Sequence, residues 1–360
     1  MIDNPGVVEQ ILDLARWAPS GDNTQPWRFE VLSDSRFVVH GSDTRRHVVY
    51  DLDGRPSQMA LGALLETLTI AASGLGMRAA IKRRYDLPED RPTFDVELAA
   101  DPGAVRSPLF HAIPLRSVQR RSYSMRPLTL DEKASLEAAL PAGYRLPWFE
   151  GAARRWQVAS LLFASAKIRL TIEEAWRVHR EVIAWKRRYS RDRVPDQALG
   201  VDNLSLAMMR WGLQEWKRVE FLNRYMAGTW LPRVQMDLLP AFRCAAHFAI
   251  VADSEPIDID GHVEAGRAMQ RVWLAATMLG LQHQPEVTPL IFARFVRNGV
   301  AFTTSHAATE LATRVSAQAC EVIGNDLSRV VWLGRIGQAP FAQARSLRRW
   351  RHELTIPRRP

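Results

Sequence analysis

Apolar residues recur at helical spacing over Val7 to Trp17 and again over Leu130 to Leu140. Each run leads into a loop that carries proline and then tryptophan. In the first it reads Pro19-Ser20-Gly21 … Gln25-Pro26-Trp27, and in the second Pro141-Ala142-Gly143 … Pro147-Trp148. Two longer apolar helices follow, GALLETLTIAASGLGM over Gly62 to Met77 and GRAMQRVWLAATMLGL over Gly266 to Leu281. They superpose without a gap, placing Gly62 on Gly266, Ala71-Ala72 on Ala275-Ala276 and Leu75-Gly76 on Leu279-Gly280. A closing glycine predicts a left-handed stop for each. Short apolar runs before them, Phe37-Val38-Val39 and Phe248-Ala249-Ile250-Val251, predict strands. An acidic Asp-x-Asp-Gly lead separates strand from helix in both places, Asp51 to Gly54 and Asp258 to Gly261. Phe94 to Leu98 and Val330 to Gly334 supply a last strand to each set. Any two Ala- and Leu-rich buried helices look alike, but four matched elements in one order predict an internal duplication. The expected domains are residues 1–110 and 111–360, each an α+β unit with a mainly antiparallel sheet flanked by helices.

The second unit carries an insertion, about residues 151–236, that reads as long helices rich in Arg and Trp. Tryptophans at helical spacing are more often core than cofactor contacts, so Trp156, Trp176, Trp185, Trp211, Trp216 and Trp230 are expected to be buried. The alternative is a lid over a site.

Composition narrows the class. With 47% hydrophobic and 24% charged residues the chain can build a packed core. Cys244 and Cys320 stand alone, without CxxC or paired histidines, so neither a disulfide framework nor a metal site is expected and a reducing cytoplasm is the expected compartment. The apolar run from Leu61 to Ile81 is broken by Glu66, glycines and Arg78, which argues against a membrane span. The N-terminal residues lack signal-peptide character. A net charge of +9 is also the footprint of nucleic-acid binding, yet the basic residues are scattered and no recognition motif accompanies them, so no nucleic-acid partner is expected.

Four stretches carry candidate chemistry. Ala18-Pro19-Ser20-Gly21-Asp22-Asn23-Thr24-Gln25-Pro26-Trp27 is a polar loop between helix and strand, explicable as turn formers alone. Its order also matches, almost letter for letter, the APSxxNxQPW loop of the FMN-dependent nitroreductase superfamily, which the chain resembles here. Arg116-Ser117-Val118-Gln119-Arg120-Arg121-Ser122 interleaves guanidinium forks with hydroxyls, a set suited to a phosphate monoester, and resembles the phosphate motif of that family. Gly280-Leu281-Gln282-His283-Gln284-Pro285-Glu286-Val287 resembles the family's loop beside the flavin, where a backbone N–H reaches flavin N5. There His283 reads as a pocket wall. Near the end, Arg345-Ser346-Leu347-Arg348 resembles the family's C-terminal phosphate arginine, with Arg348 the residue carried over.

The resemblance implies FMN held by Pro19, Ser20, Asn23, Gln25, Arg116, Arg120, Arg121, Ser122, Gln284, Pro285, Glu286 and Arg348, with Arg121→Ala expected to lower FMN content sharply. It implies no catalytic side chain, because the flavin carries the chemistry. NADH or NADPH would be the reductant, and a small electron-poor or aromatic molecule the acceptor. Typical family members are homodimers with two flavins at the interface. Here the intact PSGDNTQPW loop belongs to the first unit, its counterpart PAGYRLPW has lost Ser, Asn and Gln, and the arginine motif precedes only the second unit. That division resembles the tandem, flavin-sequestering Acg-like branch and implies one FMN per chain in a monomer that mimics the family dimer, with further self-association left open. A non-turnover FMN-binding protein and a flavin-consuming enzyme resembling benzimidazole synthase are the alternatives.

Overall fold

The computed structural model describes residues 5–226 and 228–357. Two antiparallel sheets share one plan. In the first, Trp27–Val31 pairs with Arg36–Gly41, which pairs with Thr93–Ala100, which pairs with Met77–Arg84. In the second, the short strands Tyr144–Arg145 and Trp148–Phe149 pair with Ala246–Ala252, then comes Val330–Gln338, then Leu281–Pro285. Each therefore reads first, second, fourth, third in its own chain order. The matched sequence segments occupy matched places: the faint Pro/Trp echo becomes the edge strands, and the apolar runs become the inner ones.

Between the sheets lie the two long helices, Arg55–Gly74 and Ile259–Met278, packed on each other. Gly76 and Gly280 follow them with φ of 68° and 71°, the left-handed conformation that a glycine adopts without a Cβ penalty. The helices cross where the aligned glycines meet. A Cβ on Gly62 would stand 2.0 Å from the Val263 carbonyl oxygen, and one on Gly266 would stand 2.0 Å from that of Met59. Around this crossing Leu61, Leu64, Leu65 and Leu68 share one core with Val263, Met269 and Val272. Polar groups are paired across it: Gln270 donates to Thr67 at 2.9 Å, and Arg271 and Arg267 bind Glu66 at 3.0 and 3.4 Å.

Two expectations need correcting. The stretch after the second long helix is not a loop but a strand, Leu281–Pro285, because Leu281, Gln282 and His283 are buried against Val330–Gln338. The insertion is only partly long helices. Gly151–Thr171 packs beneath the second sheet on His306–Ile323, but residues 183–201 form short paired strands and turns. None of its six tryptophans is fully buried; Trp156 and Trp230 are 53% and 58% exposed. Aliphatic residues such as Val158, Leu161 and Leu162 fill the core instead.

Candidate functional site

The loop Pro19–Trp27 is strained. Asp22, Asn23 and Gln25 have φ of 49°, 65° and 52°, a region costly for residues with a Cβ. Its surroundings enforce that shape. Ser20 Oγ accepts from the Gln25 N–H at 2.9 Å. Asn23 Nδ2 donates to the carbonyls of Arg193 and Leu347 at 3.3 and 3.1 Å. Gln25 Nε2 donates to Arg191 O at 2.8 Å, while its Oε1 accepts from the Arg349 N–H at 2.9 Å. Strands Tyr189–Ser190 and Arg345–Ser346 pair in parallel alongside. The insertion's non-helical strap and the C-terminal tail thus clamp one loop from both sides.

Beside that loop lies a cavity of about 570 Å³, a volume suited to a cofactor or drug-sized molecule. Its lining includes seven arginines (Arg55, Arg116, Arg120, Arg294, Arg297, Arg345, Arg348) and a single carboxyl group, Asp22. Four of the arginines cluster near the strained loop, and among the described residues none of these four forms an ion pair with a carboxylate. Arg116 donates to Trp17 O at 3.1 Å, Arg120 to Ala198 O at 3.2 Å, Arg345 to Pro114 O at 3.0 Å, and Arg348 to Ala18 O at 2.8 Å. Arg116 Nε and Arg345 Nε are buried with no partner. Burial and mutual repulsion with Arg348 and Arg345 pull the Arg116 pKa well below its usual value. Arg348 falls to about 9 through burial and the charges of Arg345 and Arg16. Burial raises the Asp22 carboxyl pKa against the pull of Arg120 and Arg169. Cations without a carboxylate partner and N–H groups without an acceptor are the features an anion would satisfy.

The scaffold holds this cluster firmly. Arg116 lies over the Trp273 ring at 4.5 Å. The segment that follows is pinned by Gln119 to Pro340 O at 2.9 Å, by Tyr123 OH to Gln119 O at 2.5 Å, and by Arg335 to Arg120 O at 2.7 Å.

Of the residues singled out from sequence, Pro19, Ser20, Asn23, Arg116, Arg120, Gln284, Pro285 and Arg348 line the cavity, and Gln284 Oε1 is buried without a partner. Four others do not line it. Arg121 is exposed and Ser122 half-buried, because the chain turns outward after Arg120. Gln25 is consumed as a clamp. Glu286 is buried against His247 at 2.6 Å and Arg335 at 3.1 Å, and its N–H already donates to Leu333 O at 2.8 Å. Sequence reasoning missed Arg345, although it sat in the quoted tail. It also missed Arg55 and His262, which directly follow the two Asp-x-Asp-Gly leads, and Val194 and Ala198 of the strap.

The buried histidines contribute to the pH dependence of stability. His179, His262 and His283 are held neutral by burial, with pKa values of about 3, 4 and 3. The unfolded chain, titrating near 6.5, binds protons first, so their contribution is present above about pH 6.5 and is lost as pH falls toward 4. His247 is the opposite case. Burial opposes its charge, but Glu286 and Cys244 raise its pKa to about 10, so its contribution is present below about 6.5 and is lost as pH rises through 10. Thermal unfolding across this range should give the highest midpoint near neutrality and a steep acid limb. A flat midpoint between pH 4 and 6.5 would contradict the burial of these rings.

The profile of the "Nitroreductase family" matches residues 4–49, the segment containing the first helix and the strained loop. Two Mycobacterium tuberculosis chains, from strains CDC 1551 and H37Rv and each named "Putative NAD(P)H nitroreductase", are 30% identical over 292 residues, covering 80% of this chain and 78% of theirs. The chain belongs to the nitroreductase family, a family of oxidoreductases, and has its α+β fold. A solved nitroreductase-like protein from Bacillus cereus is 13% identical, with a TM-score of 0.34 over 69% of this chain and 95% of its own. Among the described residues, no helix is long and apolar enough to cross a membrane.

Proposed function

We propose that the chain is an FMN-dependent oxidoreductase that passes electrons from NADH or NADPH to a small electron-poor or aromatic acceptor, with one flavin held between residues 1–110 and 111–360. The cluster of Arg116, Arg120, Arg345 and Arg348, none of them ion-paired with a carboxylate among the described residues, carries this reading. It matches a phosphate monoester in charge and donor geometry, and its orphaned Nε atoms mark where such a group would bond. When bound, FMN supplies reversible hydride uptake and release. Arg116 and Arg348 would hold its phosphate, with Trp273 fixing the plane of the Arg116 guanidinium. Gln284 Oε1 offers an acceptor to a ring N–H. Val194 and Ala198 add apolar wall to the lined space. The shared strand order of the two sheets and the meeting of Gly62 with Gly266 support reading the two units as a tandem pair that mimics the family dimer.

A second reading, FMN sequestered without turnover, draws support from the strap that is tied to the polar loop, its backbone carbonyls accepting from both Asn23 and Gln25. Anaerobic mixing of the purified yellow protein with NADPH or NADH separates the two. Bleaching within seconds and recolouring on adding a nitroarene or quinone supports turnover. A flavin that stays oxidised under excess reductant supports sequestration and defeats turnover.

A further inference from the structure

The second group of cavity arginines differs from the first in being almost neutralised. Arg294 binds Asp53 through two contacts, Nε to Oδ2 at 2.6 Å and NH2 to Oδ1 at 3.1 Å, and Arg297 is paired with Glu255. Asp53 Oδ1 also accepts from the Arg55 N–H at 3.3 Å. The Arg55 guanidinium is left with a 3.5 Å ion pair to the Asp53 carboxylate and no side-chain hydrogen bond among the described residues, while lining the cavity. Arg294 and Arg297 each have a close carboxylate partner, whereas Arg55 shares Asp53 with Arg294 at the longer distance and is the least neutralised of the three.

Next to it stands His262, whose charge is coupled to those of Arg55 and Arg294. The ring is 7% exposed and lines the same cavity. Its Nδ1 lies 2.8 Å from Gln58 Oε1, which can only accept, so Nδ1 carries the proton and Nε2 presents a bare lone pair. That Nε2 is buried without a partner. Met59, Leu290 and Ile291 supply apolar wall around these two groups.

We infer that Arg55 and His262 form the subsite for the acceptor, and that it takes an aromatic carboxylate whose ring bears a hydroxyl or amino donor beside the nitro or quinone group that accepts the electrons. An anion matches the under-neutralised Arg55, whose guanidinium makes no side-chain hydrogen bond among the described residues and can offer two N–H groups to a carboxylate's two oxygens. A ring donor would satisfy the His262 lone pair, which otherwise stays buried at a cost. The apolar wall accepts the ring itself. This assignment rests on the flavin reading only in naming the ligand an acceptor; the anion preference stands on Arg55, and the preference for a ring donor on His262.

The test uses the full chain, FMN-loaded, in calorimetric titrations with benzoate, benzamide and 4-hydroxybenzoate, recording flavin absorbance per chain for every variant. Benzoate is expected to bind more tightly than benzamide. Arg55→Gln should weaken benzoate by about tenfold or more and leave benzamide unchanged, with flavin content intact. His262→Phe should abolish the gain of 4-hydroxybenzoate over benzoate. If Arg55→Gln does not fold by circular dichroism, Arg55→Lys, which keeps the charge but not the fork, should still lower benzoate affinity. Equal binding of benzoate and benzamide by a fully yellow wild-type chain would overturn the subsite. So would benzoate binding indifferent to Arg55. A colourless chain that still prefers benzoate in an Arg55-dependent way would sustain the subsite and overturn the flavin reading instead.

Discussion

Replacing Arg116 and Arg348 together by methionine is expected to strip FMN from the purified chain while raising the thermal midpoint of the flavin-free protein. Both effects follow from one fact. The two guanidinium groups are buried, face each other's charge, and have only backbone carbonyls for partners. Each charge-assisted bond to a phosphate is worth about 1.5–3 kcal/mol, so losing two weakens binding roughly a hundredfold to ten-thousandfold. Without a phosphate they are uncompensated buried cations, and exchanging such groups for apolar ones of similar length is often stabilising. Flavin absorbance per chain and a melting curve check the two halves. A variant that stays yellow would remove the phosphate assignment. One that loses colour and also loses stability without flavin would show the arginines to be structural. Arg121→Ala, the substitution favoured on sequence alone, should now leave colour unchanged, since Arg121 is exposed and absent from the cavity wall.

The second large effect concerns the crossing of the two long helices. Gly62→Ala or Gly266→Ala places a methyl group 2.0 Å from a carbonyl oxygen of the opposite helix, which is backbone and cannot rotate away. The helices must separate, disturbing the packing of Leu61, Leu65, Val263 and Met269, which share one core. Overpacking of this kind costs about 1–3 kcal/mol and occasionally more. Either substitution should lower the urea midpoint by an amount well outside error, whereas alanine at Gly6, with open space around its Cβ position, should not. Near-equal midpoints for the Gly62 and Gly6 variants would mean that the close contact is absent in solution.

The matched order of elements was legible because residues 1–110 and 111–360 repeat turn chemistry as well as hydrophobicity. The two Asp-x-Asp-Gly leads and the two closing glycines marked the same places twice, and the structure puts left-handed glycines and helix starts there. The strained loop was legible as a motif but not in its wiring. Nothing local reveals that Asn23 and Gln25 spend their amides on carbonyls 170 and 166 residues away in a strap. The arginines were the hardest to sort. In a chain with net charge +9, spacing does not tell Arg116, which is buried, from Arg121, which is exposed; the turn direction after Arg120 decides it. Glu286 misled for a related reason. It follows the cavity-lining Gln284-Pro285, but its side chain enters the buried His247–Arg335 network, where it anchors the strand that carries Arg335 to the Arg120 carbonyl.

The account turns on a single cofactor seated where the amino-terminal loop meets the arginine cluster. Its most direct test is the ratio of FMN released on denaturation to chain concentration in protein saturated with flavin. One FMN for each chain is the predicted value; two, or a chain that retains none, would contradict it.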